Sequence, residues 1–523
     1  MALAAAAVPG HAQVATTVPL QELQLDRTSA TPAKRTDRTR ARRPGEKAPA
    51  QTTFGSQPGS GAGTTGFVST SPKPRPKPPI GAPLALTPVG EAAPLPPAAA
   101  GPARRRLRVP PPTTTTAYVP RPGPSVTILP PPTLTPPIRR APLAEEDPFA
   151  PTGIHAGAFL FRPAVELSGG YDTNPGRSSG GRGSWVSTVA PELAVRSDWS
   201  RHELVANLRG TYSMYEAIPS LNRPTFDGRF LGRLDITRDT RAEFEGHYLL
   251  GTDYPGSPDL TAGFSRLPIF QTIGGTAGLA QRFNRFDFVV KGTADRVTYQ
   301  ATELTNGKTF SNDDRNYNQF GAIARATYEL SPGLKPFVET AVDTRIRDLA
   351  FDRYGLQRDS RAVVARVGTA FEFSRAWVGE LSVGYTVRTY KDASLPDLRG
   401  LLVDGSLVWA ASGLTAVKLS ATSRADESTL PGVAGVFRRD VGLQVDHAFR
   451  RWLIGTARLG YGRDAFDGDS RADNRYLASV AITYRLWREL WLRAEVRREW
   501  MRSNVPGVNY TSDMALLGVR LQR

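Results

Sequence analysis

Cysteine is absent from the 523 residues, which excludes disulfide frameworks and thiolate metal sites. Histidine is scarce as well. The five, His11, His155, His202, His247 and His447, form no HExxH-type pair, and no GxSxG elbow appears. These gaps leave hydrolytic chemistry without a motif, so the reading is a non-enzymatic chain with no cofactor and no metal. No run approaches the ~18 apolar residues of a membrane helix. That excludes helical spans only, because β-barrel strands carry a much weaker hydropathy signal.

What the chain does contain divides near residue 150. The first 150 residues hold 30 of the 44 prolines, with 18 Lys+Arg against 8 Asp+Glu, leaving 48 and 41 for the rest. A basic, Pro-rich segment with few aromatics and no apolar period cannot bury enough surface to offset its chain entropy. Residues 13–146 are therefore expected to be a disordered extension. Within it Pro72, Pro74, Pro76 and Pro78 alternate with Lys73, Arg75 and Lys77, which favours polyproline II. Residues 1–12 end in Gly10-His11-Ala12 after an alanine run and read as a truncated signal peptide or as a plain terminus. The net charge of +17 raises nucleic acid as a partner. The clusters Arg38–Arg43 and Arg104–Arg108 lack interleaved aromatics and any recognition motif, so nucleic acid is set aside. Anionic head groups or cell-wall polymer remain candidate partners for the extension. Gly61 to Gly66 matches a dinucleotide fingerprint formally, but no strand precedes it and no helix follows.

From residue 147 the pattern is a period of two. Tyr476, Ala478, Val480, Ile482, Tyr484 and Leu486 fall on one side of a run, with Arg475, Ser479, Thr483 and Arg485 on the other. After a turn, Leu492, Ala494, Val496 and Trp500 alternate with Arg493, Glu495, Arg497 and Glu499. Similar runs start at Phe226, Phe286, Leu381 and Val441. Each is a strand with one apolar and one polar face. No helix or second layer is available to cover the apolar faces, so the expected fold is all-β. It is a transmembrane antiparallel barrel with lipid outside and a polar lumen. The runs count to about 18 strands, with 16 the nearest alternative. Connections alternate between long (173–183, 254–265, 300–315, 427–437, 465–473) and short, as external loops and periplasmic turns do. An even count returns both ends of the barrel to the periplasmic side. Six of the eight tryptophans (Trp199, Trp377, Trp409, Trp452, Trp487, Trp491) lie near short turns, where an aromatic girdle is expected.

The opening of this region, Gly153, Gly157, Phe159, Phe161 and Pro163 leading to a strand closed by Tyr171-Asp172-Thr173-Asn174, resembles the β-barrel porin 2 family of outer-membrane proteins. The resemblance covers 147–523. It implies an outer-membrane barrel of a Gram-negative bacterium, often linked with polysaccharide export, handled by the barrel-assembly machinery and without catalytic residues. Barrels of this class commonly end in an aromatic, and here Arg523 stands in that place.

Charges on the inward faces are the candidate functional residues. Arg229, Arg233, Glu243, Glu245, Arg366, Arg388, Arg458, Arg485, Arg493, Glu495, Arg497 and Glu499 are expected to line the lumen, with Arg209, Asp227, Asp235 and Glu380. Such rings tune which polar solutes pass. Equally, they can pair across strands and hold a filled barrel shut. His247 would sit beside Glu243 and Glu245, where acid–base work is conceivable and a structural role the plainer alternative. The Asp464, Asp467, Asp469 and Asp473 group offers carboxylates for a hard cation but lacks EF-hand spacing. The expected function is a porin-like channel for a polar solute or polysaccharide. The alternative is a non-conducting anchor whose basic extension binds cell wall or a periplasmic partner.

Overall fold

The computed structural model describes residues 147–523 apart from 261, 262 and 375. The expectations for residues 1–12 and 13–146 lie outside the described residues. No helix among the described residues is long and apolar enough to cross a membrane. The chain spans with strands.

Eighteen antiparallel strands close into one barrel. In chain order they are β1 (Phe159–Asp172), β2 (Ser184–Ser197), β3 (Glu203–Tyr215), β4 (Arg223–Asp235), β5 (Thr240–Thr252) and β6 (Ile269–Phe283). Then come β7 (Phe286–Tyr299), β8 (Tyr317–Tyr328), β9 (Leu334–Arg347), β10 (Ser360–Ser374), β11 (Trp377–Tyr390) and β12 (Leu398–Ala410). The last six are β13 (Thr415–Glu427), β14 (Gly435–Arg450), β15 (Leu453–Asp467), β16 (Ala472–Arg485), β17 (Leu490–Ser503) and β18 (Tyr510–Gln522). Every strand pairs with its sequence neighbours, and β1 also pairs with β18, from Ala164↔Gln522 to Asp172↔Met514. Closure leaves no edge with unpaired backbone groups, the condition for strands to stand in hydrocarbon. A three-residue strand, Ile154–Ala156, folds back on the start of β1.

Strand alternation sorts the side chains as the sequence pattern predicts. Along β17, Leu492, Ala494 and Val496 face outward, whereas Arg493, Glu495, Arg497 and Glu499 are buried inside. Val496 is 64% exposed and Glu499 only 1%. The apolar faces together form the surface that lipid covers, and the polar faces meet in the lumen.

Connections at the end that carries both ends of the barrel are two to five residues long. Those at the other end reach 16 residues at 253–268 and 17 at 300–316. Four differ from the expected bounds, the one expected at 300–315 by a single residue. The strands of the last long hairpin run on to Asp467 and Ala472, so 465–473 reduces to a four-residue turn at 468–471. Gly468 turns it at φ +96°, and a Cβ there would meet the Gly432 carbonyl at 2.3 Å. The loop expected at 427–437 contracts to 428–434, and that at 254–265 lengthens to 253–268.

Trp199, Trp377, Trp409, Trp452 and Trp487 are exposed near the short turns, with Trp377 stacked on Trp409 at 5.0 Å. Trp491 departs from this girdle. Its position in the alternation points it inward, where it is 4% exposed and lies under the Arg485 guanidinium at 4.5 Å. Proximity to a turn placed its height correctly but not its face. Trp185, exposed, and Trp500, stacked on Tyr476, mark the opposite rim.

Candidate lumen site

Much of the inner wall is an ion-pair lattice. Arg325 of β8 reaches Glu380 of β11 (3.0 Å), and Arg366 of β10 sits between Glu339 of β9 (3.1 Å) and Asp404 of β12 (3.4 Å). Arg388 holds Asp343 at 2.7 Å, and Arg345 and Arg347 both engage Glu427. Arg475 bridges Asp440 (2.8 Å) and Asp464 (2.6 Å), while Arg471 holds Asp473. Asp464 and Asp473 are thus buried strand residues committed to arginines rather than members of an open acidic loop. Buried charge must be answered by buried charge, and cross-strand spacing brings the partners within reach.

The other predicted lumen residues also face inward. Arg229 lies by Asp227 (3.5 Å), and Arg233 lies between Glu203 and Asp235, each at 3.2 Å. Glu243 is gripped by Arg241 (2.8 Å) and Lys291 (2.7 Å), with Glu245 one step along the same face. Arg458 donates to Gln444 (3.0 Å). Arg485 reaches Asp147, at the start of the described chain, at 3.1 Å. His247 Nε2 is 2.9 Å from Asp295 Oδ1, so its partner is Asp295 rather than Glu243 or Glu245.

Four of the predicted residues, Arg493, Glu495, Arg497 and Glu499, meet at one chamber of about 150 Å³. Its wall follows from register. Along the hydrogen-bonded row that starts at Arg493, successive strands present Gly518 (β18), Ser168 (β1), Thr188 (β2) and Ser213 (β3), climbing to Arg223 at the long-loop end of β4. Four small residues between two arginines leave the space that the lattice fills elsewhere.

Loops roof this chamber. Tyr254, in the loop 253–268, lines it and shares a 3.3 Å hydrogen bond with Tyr510. Asp253 pairs with Arg315 at 2.7 Å. Leu260, Phe264 and Leu267 of the same loop pack with Val186, Tyr215 and Leu516 on inward faces of β2, β3 and β18. Asp259 accepts hydrogen bonds from Ser428 and Thr429, which follow β13 on the far side of the barrel. The loop therefore crosses the mouth. Arg177, from loop 173–183, enters beside it at φ +51° and ties Asp172 (2.8 Å) to Glu499 (3.0 Å). Burial opposes charge on Arg177, but Glu499 and Asp172 outweigh it and hold the guanidinium protonated, well above its ordinary range.

This geometry gives the Tyr171-Asp172-Thr173-Asn174 motif a physical role. Asp172, fully buried, accepts from Ser512 Oγ (2.6 Å), the Asn174 backbone (2.9 Å) and Arg177. Asn174 donates to the Thr511 carbonyl (3.1 Å). The motif locks the β1–β18 seam at the long-loop end. Arg177, Arg223, Tyr254 and Tyr510 escaped sequence reasoning. The first and third sit in loops without periodicity, and the others bear no charge run to single them out. Among the described residues no group of His, Asp and Glu is arranged to hold a metal.

A closed barrel with an apolar exterior, a charged lumen and inward-folded loops defines a porin-like outer-membrane protein. The chain belongs to the family described as "Putative beta-barrel porin 2", which matches residues 147–523. That family places it in the outer membrane of a Gram-negative bacterium. It is similar to solved porins of Pseudomonas aeruginosa, OccK2 (OpdF), at 11% identity and TM-score 0.38 over 70% of this chain and 97% of that one. A second is OpdK of the same species, at 13% identity and TM-score 0.36 over 69% and 99%. A third is a BenF-like porin of Pseudomonas fluorescens Pf-5, at 12% identity and TM-score 0.36, again over 69% and 99%. No curated protein matches the chain.

Proposed function

We propose that the barrel passes small polar solutes across the outer membrane through the chamber beside β17, with access set by the loop 253–268. The observation that carries this reading is the arc of Gly518, Ser168, Thr188 and Ser213, which keeps the wall open where the remaining lumen charges are locked in pairs. The twelve sequence-derived charges then divide in role. Arg493, Glu495, Arg497 and Glu499 contact the solute, and the others hold the wall. Single-channel recording of the refolded full chain in a planar bilayer tests this. Ohmic steps altered by Arg497→Gln support it, and a heat-modifiable barrel without conductance rejects it.

A second reading has its own observation. Asp147 is held by Arg485, and the Pro148 carbonyl accepts from Arg488, at the short-turn end. The basic, Pro-rich residues 13–146 then continue into the periplasm, where anionic cell-wall polymer would attract them. Deleting 13–145 should leave conductance intact and abolish binding to purified cell wall. Binding that survives the deletion removes this reading.

A further inference from the structure

We propose that the lipid face of β14–β17 carries a binding site for a phosphorylated glycolipid of the outer leaflet, with Arg439 and Arg463 holding a phosphate. The site lies outside the wall, so it neither needs nor disturbs a solute path through the lumen.

It follows from a row of unanswered charge. Strand register sets Arg439 of β14 directly opposite Arg463 of β15, Arg463 opposite Asn474 of β16, and Asn474 opposite Arg502 of β17. Strand alternation turns all four outward, and the three arginines are exposed. The row climbs, from four residues inside the long-loop end of β14 to one inside that of β17. Like charges set directly opposite repel. Three other outward arginines at this end have a carboxylate each: Arg296 with Asp348 (2.5 Å), Arg399 with Asp397 (3.1 Å) and Arg498 with Asp513 (3.7 Å). The guanidinium groups of Arg439, Arg463 and Arg502 make no ion pair and no hydrogen bond among the described residues. Arg439 only lies over the Phe437 ring at 5.2 Å. Asp467, outward on β15, stands four residues beyond Arg463 and meets the charge of Arg399 instead.

An aromatic row runs directly beneath. Tyr461, Tyr476 and Trp500 stand two residues toward the membrane from Arg463, Asn474 and Arg502, and register pairs them in the same order. The Tyr476 ring lies 5.3 Å from each neighbour and is stacked on Trp500. The Tyr461 hydroxyl donates to Asn474 Oδ1 (3.0 Å), which leaves the Asn474 amide NH2 to donate outward. Tyr476 is eight residues from Tyr484, which contacts Trp452 of the short-turn girdle. That is about 26 Å along a strand, or about 20 Å of height at barrel tilt. The aromatic row thus marks the far edge of the apolar band, and the arginines stand just above it among the head groups. Long loops are external in such barrels, so these are head groups of the outer leaflet.

The chemistry selects the lipid. Neighbouring strands lie about 4.8 Å apart, so Arg439 and Arg463 can share one phosphate, the group that guanidinium forks bind best. Asn474 and Arg502 continue the row about 10 Å further and offer donors to sugar hydroxyls or a second phosphate. A zwitterionic phospholipid brings its own cation to the arginine pair and gains less.

Diphosphoryl lipid A is the probe and phosphatidylcholine the zwitterionic comparison. Native mass spectrometry of the refolded full chain should show lipid A retained and phosphatidylcholine shed. Arg439→Gln and Arg463→Gln should each weaken lipid A binding about tenfold, whereas Arg296→Gln, on β7, should leave it unchanged. Heat-modifiability on gels checks folding. Arg463→Lys, which keeps the charge but not the fork, should fall between. Equal retention of the two lipids, Gln variants that hold lipid A as tightly as the parent, or an equal loss in Arg296→Gln overturns the site. Displacement of the lipid by inorganic phosphate overturns the glycolipid and leaves a plain phosphate site. Arg463→Gln should conduct as the parent does, and altered conductance would overturn the outward placement. A barrel that binds lipid A yet never conducts keeps the site and removes only the channel reading.

Discussion

Replacing Asp259 by alanine should release the tip of the loop that crosses the lumen mouth. Its Oδ1 accepts three hydrogen bonds, from Ser428 Oγ (3.1 Å), Thr429 N (2.8 Å) and Thr429 Oγ1 (2.8 Å). A bond to a charged group contributes about 1.5–3 kcal/mol, but these three are partly solvated and share one oxygen, so about 3 kcal/mol is a fair total. At about 1.4 kcal/mol per decade, the released state should gain roughly a hundredfold in population. The loop remains pinned upstream by Tyr254–Tyr510 and Asp253–Arg315. The effect should therefore be confined to the residues near 259. Hydrogen exchange of a peptide covering 255–260 should accelerate by about two decades. Single-channel records should show more frequent transitions between current levels. Asp259→Asn retains an acceptor and should fall between the two. Unchanged exchange in Asp259→Ala would refute the argument, since it would mean that the apolar contacts of Leu260, Phe264 and Leu267 alone hold the loop.

Asp172→Ala should cost about 3–5 kcal/mol, because it removes one of the two carboxylates that hold the buried Arg177 and also the seam acceptor. Urea unfolding in lipid vesicles reads this, and a loss below 1 kcal/mol would rule out the seam-lock role. Val496→Arg places a cation on the lipid face at mid-strand and should cost about 2–4 kcal/mol, whereas Val496→Leu should be near neutral. Equal stability of the two would contradict the outward assignment of that face. Two loop ties should respond to acid. Burial raises Asp314, but the Arg353 guanidinium at 2.6 Å outweighs it, and Arg296 at 2.5 Å lowers Asp348. With both carboxyls below their ordinary range, the ties are fully present above about pH 4 and are lost as pH falls through the lowered values. A spin label at the exposed Tyr354 should gain mobility only on that acid side, and mobility that rises instead toward neutral pH would refute the sign.

The period-two runs made strand faces, strand number and the alternation of connections legible, because side-chain direction in a strand is set residue by residue. Arg493, Glu495, Arg497 and Glu499 were visible as one charged row for that reason. Trp491 shows the limit of a proximity argument, since its height came from the turn but its face from the parity of β17. The acidic group around Asp464 and Asp473 read as a loop because nothing local marks where a hairpin ends. Arg471 and Arg475, which extend the strands by pairing with those carboxylates, settle it.

The sequence by itself determined that lipid would meet one side of each strand and water the other, and that about 18 strands would share the work. Which charges lock together and which stand around an open chamber was decided only in the closed barrel. Ion pairs such as Arg325–Glu380 join residues 55 apart in the chain, and Arg177–Glu499 joins residues 322 apart. The same holds for the crossing loop. Asp259 finds Thr429 170 residues away, a contact that exists only once every intervening strand has taken its register and the wall has closed on itself.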